Sequence, residues 1–264
     1  MGLCQLDLVI TLDDRALTMI HLDVRSFNMS LSPMQEILIL LEDEKRVPFF
    51  RLNRWGRPAR GVLAKLKNLG FAEKEKNDTD IYYKITDKGE KYFDDVLSIL
   101  KQKDRWDKKW RLVMFNIPEK NRAVRDRLRR ALDNLGMGLL QSSVWISSID
   151  IKDKIDKISE RLKLKNNLKY FEVLSNPNLD RQIIEKSWDL PKLSLEYDRF
   201  IKAANITLKR MGTGNGDRYN SKKLIFEYAL LLKKDPKLPL EFTEQNELRG
   251  RAHEIYLKLR RYTA

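Results

Sequence analysis

The sequence predicts an α+β chain of three modules: three helices and a β-hairpin, a β-α-β-β-α-β unit, and a mostly helical C-terminal part. Three observations lead there. Residues 106–149, WDKKWRLVMFNIPEKNRAVRDRLRRALDNLGMGLLQSSVWISSI, change hydrophobic period from strand to helix and back. Ahead of them, apolar positions at helical spacing give way to two short extended runs around a polar turn. Behind them, from Asn176-Pro177-Asn178, apolar residues recur at helical spacing to the end.

The elements follow in order. Residues 1–32 read as an N-terminal extension of unknown role, open to being an extension, a swapped strand or sequence upstream of a start at Met29 or Met34; Leu6, Leu8, Ile10 and Leu12 alternate only weakly. Ser32-Pro33 is a cap followed by proline at the first helical position, and Ile37, Leu38, Leu40 and Leu41 supply an apolar face to about Glu44. A short apolar cluster, residues 47–52, precedes the turn Asn53-Arg54-Trp55-Gly56-Arg57. Pro58 opens the third helix, with Val62, Leu63, Leu66 and Leu69 inward and Gly70 at its end. Residues 71–76 and 81–85 read as a hairpin around Asn77-Asp78-Thr79-Asp80, and Thr86-Asp87-Lys88-Gly89 leads into a helix reaching about Lys103. Three helices and then a hairpin is the order of a winged helix-turn-helix, placed at residues 33–103.

In the middle module, Leu112-Val113-Met114-Phe115 has the composition of a buried strand, and Ile117-Pro118-Glu119 breaks it. Val124, Leu128, Ala131, Leu132 and Leu135 mark a helix closed by Gly136. Two β-like pieces, 137–141 and 144–147, precede a helix capped by Asp150 and a last strand at 168–174. This order gives a ferredoxin-like βαββαβ domain over residues 104–176. Residues 177–264 form the helical C-terminal domain. Its most apolar helix holds Leu224, Ile225, Phe226, Tyr228, Ala229, Leu231 and Leu232. The glycine-rich MGTGNGDRYN is a connection and not a phosphate loop, since no Gly-Lys-Ser/Thr follows.

The net charge of +14 and pI near 9.7 point to a polyanionic partner, nucleic acid first. A membrane surface is disfavoured: no basic amphipathic anchor stands out, and no apolar run approaches the roughly 18–20 residues a bilayer needs. Asp7, Asp13 and Asp14 interrupt any leader-like apolar stretch, so a cytoplasmic, nucleoid-associated location is expected. The single Cys4 excludes an internal disulfide and a cysteine zinc site, while His21 and His253 stand apart without ligand spacing. Neither a cofactor nor a metal is expected.

Charge and order together place a DNA-reading surface. The third helix carries Arg57, Arg60, Ala64, Lys65 and Asn68 opposite its leucines, where small residues permit close approach to a major groove. Arg54 and Arg57 are expected on phosphates, and Lys74, Lys76, Tyr83 and Lys84 on the wing.

Three passages carry a resemblance. LAKLKNLGFAEKEKNDTDIYYKITDKGEKYF resembles winged-helix repressors. RWDKKWRLVMFNIPEKNRAVRDRLRRALDNLGMGLLQSSVWIS resembles the central domain of the PaaX-type repressors of phenylacetic acid degradation. It is also similar to the small CRISPR-associated endonuclease of spacer acquisition. Trp188-Asp189-Leu190, Tyr197, Phe200, the D-P-x-L-P at 235–239 and the final R-G-x-A helix resemble the PaaX-type C-terminal domain. Glu247-Leu248-Arg249 departs from it, standing where that family often has tryptophan-proline before the glycine. The likeness spans residues 33–264. It implies a ligand-gated transcriptional repressor that binds a pseudo-palindromic operator in double-stranded DNA as a homodimer, with the C-terminal domain serving dimerisation and effector control. In that family an acyl-coenzyme A releases the repressor; the switch carries over to this chain as an expectation, with a small-molecule effector such as an acyl-coenzyme A, and the identity of the ligand does not. No ligand-binding residue can be matched, though an aromatic cavity near Trp188, Tyr197, Phe200, Phe226 and Tyr228 is conceivable beside the commoner core reading.

The alternative is a metal-dependent nuclease. In the CRISPR proteins the first strand ends in an aromatic residue, aspartate and an aliphatic residue, the aspartate being the metal ligand. Here the run is Phe115-Asn116-Ile117, and a neutral amide is a poor ligand for Mg²⁺. Asn116 is therefore a degenerate metal position, and no catalytic activity is expected. Arg122, Arg125, Arg127, Arg129 and Arg130 on the following helix remain open to three readings: a solvated face, a dimer surface or a second DNA-facing patch.

Overall fold

The computed structural model describes residues 31–52, 58–77, 80–102, 106–214, 216–238, 242 and 246–263. The 1–32 extension, except its last two residues, lies outside them, as do Arg54 and Arg57. The described elements run α1 (Pro33–Glu44), β1 (Arg46–Pro48), α2 (Phe49–Leu52), α3 (Pro58–Asn68), β2 (Ala72–Lys76), β3 (Ile81–Ile85), α4 (Asp87–Leu97), β4 (Lys109–Phe115), α5 (Arg122–Asn134), β5 (Gly138–Gln141), β6 (Val144–Ser147), α6 (Lys152–Arg161), β7 (Leu168–Leu174), α7 (Pro177–Ser187), α8 (Leu190–Gly212), α9 (Arg218–Lys234) and α10 (Asn246–Arg260). The chain is mixed α+β and mostly helical, with two antiparallel sheets. The described residues form two compact units, one from within 1–100, 200–229 and 254–264 and the other from within 101–199 and 230–253. Helices α8, α9 and α10 each contribute residues to both. Among the described residues, no helix is long and apolar enough to cross a membrane.

In the first unit, α1 starts at a reciprocal cap. Ser32 Oγ accepts the Gln35 N–H at 3.4 Å, and Gln35 Oε1 accepts the Ser32 N–H at 2.9 Å. The anticipated apolar face is buried, but so is Ile39, because the helix is covered on a further side. Tyr219 on α9 donates to the Glu36 carbonyl at 3.2 Å, and Lys222 lies 2.6 Å from Glu42 and 3.0 Å from Asp43. The apolar cluster after α1 becomes strand β1 and the single turn α2. β1 pairs with β3, giving the sheet order β1-β3-β2. The β2–β3 hairpin has the anticipated four-residue connection, with Asn77 N–H on the Asp80 carbonyl at 2.9 Å. The helix expected to reach Lys103 ends at Leu97, followed by one tighter turn, Ser98–Lys101.

The junction from hairpin to α4 explains its sequence. Thr86 caps α4 by accepting the Gly89 N–H at 3.2 Å, and its own hydroxyl donates to the Gly70 carbonyl. A Cβ on Gly89 would stand 2.3 Å from the Phe71 carbonyl oxygen and 2.7 Å from Ile85 Cγ1. Backbone would have to move, so Gly89→Ala is expected to destabilise this unit by about 1–3 kcal/mol despite alanine's better helix propensity. Urea midpoints check this, and an unchanged midpoint contradicts the close approach.

Rings fill the rest of this unit's core: Phe200 stacks on Tyr228 at 4.9 Å, Tyr228 on Tyr256 at 5.4 Å, and Phe93 meets Phe226 at 5.3 Å. Here Phe200, Phe226 and Tyr228 pack as core. Glu227 is buried beside them, and burial raises its pKa to about 7 against the pull of Lys223. The folded chain therefore keeps a proton that the unfolded chain releases near 4.5, and stability falls as pH rises from about 4.5 to about 7. Glu227→Gln should gain on the parent by about 2 kcal/mol between pH 5 and pH 8 in urea unfolding. A pH-independent offset would refute that assignment.

The second unit holds the sheet β5-β6-β4-β7, every neighbouring pair antiparallel, in a β-α-β-β-α-β chain order. Helices α5 and α6 cover one face with a core of Val113, Phe115, Leu128, Leu132, Ile155 and Ile158. Gly136 ends the α5 turn at φ +74°, as its position implies. On the other face Trp110, Ile146, Ile184 and Leu238 pack together, and Trp188 donates to the Gly136 carbonyl at 3.1 Å. Strand β4 starts ahead of the apolar run. Arg111, 3 % exposed, can sit in it because Asp107 takes its two terminal nitrogens at 2.6 and 2.5 Å. Ile151, not Asp150, occupies the cap of α6; Asp150 accepts the Lys152 N–H at 3.0 Å.

Candidate nucleic-acid interface

Helix α3 is amphipathic because its apolar residues recur at helical spacing. Ala59, Leu63 and Leu66 are buried, while Arg60, Gly61, Ala64, Lys67 and Asn68 are exposed on one stripe. Nothing lies within 4 Å of a Cβ built on Gly61, so the stripe is open to close approach. Lys65 is half-buried at its margin. Lys67 was overlooked from sequence, although it lies seven residues from Arg60 and so on the same face.

Pairing register sorts the hairpin residues. Lys74 lies opposite Tyr83 and Lys76 opposite Ile81, on the sheet face that also carries the buried Val47 and Ala72. Lys84 lies opposite Glu73 on the other face, with Arg46 and Tyr82. There it pairs with Glu75, which also binds Arg46 at 3.1 Å; Lys84, then Arg46, hold the Glu75 carboxyl below its ordinary range. The four residues grouped from sequence thus divide: Lys74, Lys76 and Tyr83 stay together, and the charge of Lys84 is engaged elsewhere.

Phe49 on α2 joins helix and hairpin. Its ring centre lies 6.3 Å from that of Tyr83, and the Arg60 guanidinium is 5.7 Å from the Phe49 ring. Arg60, Phe49, Tyr83 and Lys74 therefore form one continuous surface. Burial raises the Tyr83 pKa, so its hydroxyl stays a donor at neutral pH. Arg60, Lys65, Lys67, Lys74 and Lys76 make no ion pair with a described residue. Such a surface offers lysine charges to phosphates, and an arginine and an asparagine able to hydrogen-bond base edges in pairs.

In the second unit, Asn116 follows β4. Its N–H donates to the Asn167 carbonyl at 2.9 Å, and Asn167 Nδ2 donates to the Asn116 carbonyl at 2.8 Å. Of the nearby acids, Glu119 pairs with Arg125 at 2.8 Å, and this guanidinium above all lowers the Glu119 pKa. Asp126 lies 4.0 Å from Arg122. Among the described residues, no group of three or more His, Cys, Asp or Glu is placed to hold a metal ion. The arginines of α5 diverge: Arg122 and Arg127 are exposed, while Arg125 and Arg129 wall a hollow beside Asn116.

Fold and surface define a two-unit α+β chain with a basic helix-and-hairpin face and a four-stranded α/β sandwich layer. Residues 103–183 match the family model of the PaaX protein central Cas2-like domain. The structure is similar to the uncharacterized protein Rv0674 from Mycobacterium tuberculosis, with a TM-score of 0.52 and 15 % identity over 96 % of this chain and 98 % of that one. That likeness concerns the fold. No curated protein matches the chain.

Proposed function

We propose that the chain is a DNA-binding transcriptional regulator of the PaaX type, acting as a ligand-gated homodimeric repressor. In this reading α1–α3 with the β1–β3 sheet are a winged helix-turn-helix, and β4–β7 with α5 and α6 are a ferredoxin-like domain. The observation that carries the proposal is the continuous face of Arg60, Asn68, Phe49, Tyr83, Lys74 and Lys76 on a small-residue helix beside a hairpin. The matched central domain supports the family assignment. Dimerisation, a small-molecule effector such as an acyl-coenzyme A and the nucleoid-associated cytoplasmic location come with it as parts of the same proposal.

The test is selection of duplexes from a random pool, followed by binding of the enriched sequence. A pseudo-palindrome is expected, since a two-fold dimer presents two equivalent helices. Arg60→Ala with Asn68→Ala should weaken that sequence by roughly 1–3 kcal/mol per lost base contact and leave scrambled duplex binding nearly unchanged. Equal losses on both would sink the base-reading role. We further propose that the protein is not a nuclease. Duplex and single-stranded DNA should survive incubation with Mg²⁺ or Mn²⁺, and cleavage abolished by Glu119→Gln would reverse that reading.

A further inference from the structure

The hollow beside Asn116 is walled by residues of one sign. It measures about 740 Å³, and its lining includes Asn116, Arg125, Arg129, Ser143, Asn167 and Lys169, with no carboxylate among the lining residues. Its volume suits a small ligand and not a bare ion alone. The walls are held in register by main-chain bonds: Phe115 N–H to the Ser143 carbonyl at 3.1 Å and Asn116 N–H to that of Asn167 at 2.9 Å. Arg129 Nη2 ties the helix to the β5–β6 turn through the Ser142 carbonyl at 2.8 Å.

The two arginines are incompletely used. Nε of Arg125 and Nε of Arg129 are both buried without a hydrogen-bond partner. Arg125 meets Glu119 through Nη1, and Arg129 meets a neutral carbonyl through Nη2. Burial of these nitrogens holds each guanidinium in place, and each terminus keeps N–H donors beyond the one bond it makes, which suits an anionic acceptor in the hollow. Lys169 adds a third, exposed cation, while Ser143 and the asparagine amides add neutral donors.

We infer that this hollow is an oxyanion site that takes the phosphate group of a phosphate ester, with Arg125 and Arg129 as its forks and Lys169 at its mouth. The lining sets the Asn116 amide beside Arg125, Arg129 and Lys169, and although Glu119 holds Arg125 through one nitrogen, the charge balance at the hollow stays positive. A divalent cation would be repelled there, and a doubly charged phosphate attracted. The inference is independent of the DNA-reading face, which uses other residues.

The full-length protein tests it without operator DNA. Inorganic phosphate should raise the thermal midpoint above that in chloride at matched ionic strength, saturably, as a ligand of the folded state does. Mg²⁺ at the same ionic strength should not. Phosphate affinity from ³¹P line broadening should fall about tenfold in Arg125→Gln with Arg129→Gln. Lys169→Gln, on an exposed side chain that threatens no packing, should lower it by a smaller factor and guards against a folding artefact. Phosphate that acts no differently from chloride, or that binds Lys169→Gln and the double variant as it binds the parent, overturns the inference. Displacement of phosphate by a mononucleotide but not by a short duplex assigns the group to a small phosphorylated ligand. Displacement by the duplex assigns it to a nucleic-acid backbone.

Discussion

Affinity for duplex DNA is expected to fall roughly a hundredfold per protomer as salt rises from about 50 to about 200 mM. The candidate surface holds four lysines without a described acidic partner, Lys65, Lys67, Lys74 and Lys76. Each phosphate neutralised releases close to one condensed counterion, so four contacts give a log–log slope near −3.5. Lys74→Gln with Lys76→Gln should flatten that slope by about 2. Lys84→Gln should leave it unchanged, because Glu75 already engages that charge on the opposite face of the hairpin. Fluorescence anisotropy over a salt series measures all three proteins. A flat parent slope would refute DNA binding by this face. A Lys84→Gln slope as shallow as that of the double variant would refute the division of the hairpin into an engaged and a free side.

That division shows where reading a sequence stops. Period alone located most elements: the apolar run of β4, the helix spacing of α5 and the glycine at φ +74° that ends it. Strand β1 was beyond it, since three residues ending in proline have no period and owe their extension to pairing with β3. Alternation along β2 and β3 could have separated Lys84 from Lys74, but only with the pairing register known. Arg111 stands in β4 just ahead of its apolar run and is legible only once Asp107 is seen to close on it. Arg125 and Arg129 resemble any solvated arginines in a helical wheel. Their setting depends on the β5–β6 turn and the loop before β7, both remote in sequence. Phe49 reads only as part of an apolar cluster, because its place between two elements that meet only in three dimensions leaves no pattern in the sequence.

Asp235→Ala is expected to destabilise the second unit by about 3 kcal/mol, for a reason tied to a departure in the sequence. The aspartate of the D-P-x-L-P segment is 3 % exposed. It accepts the Tyr197 hydroxyl, both reaching nitrogens of Arg249 (Nε at 2.9 Å) and the Lys237 N–H at 2.6 Å. Burial works against the Arg249 charge, and Asp235 and the Tyr197 oxygen outweigh it, so the arginine's pKa is raised. Removing the carboxylate strands a hydroxyl and a guanidinium that is still 27 % exposed, which keeps the loss toward the lower end for a broken buried pair. Arg249 stands where the resembling sequences often have tryptophan-proline, and the pairing shows how an arginine is accommodated there. Arg249→Met in the Asp235→Ala background should therefore recover part of the loss, since it removes the stranded charge and keeps the apolar stem. A double-mutant cycle in urea should return a coupling of about 1–2 kcal/mol. Coupling near zero would mean that Asp235 acts through Tyr197 and the Lys237 turn, and that Arg249 is held by packing.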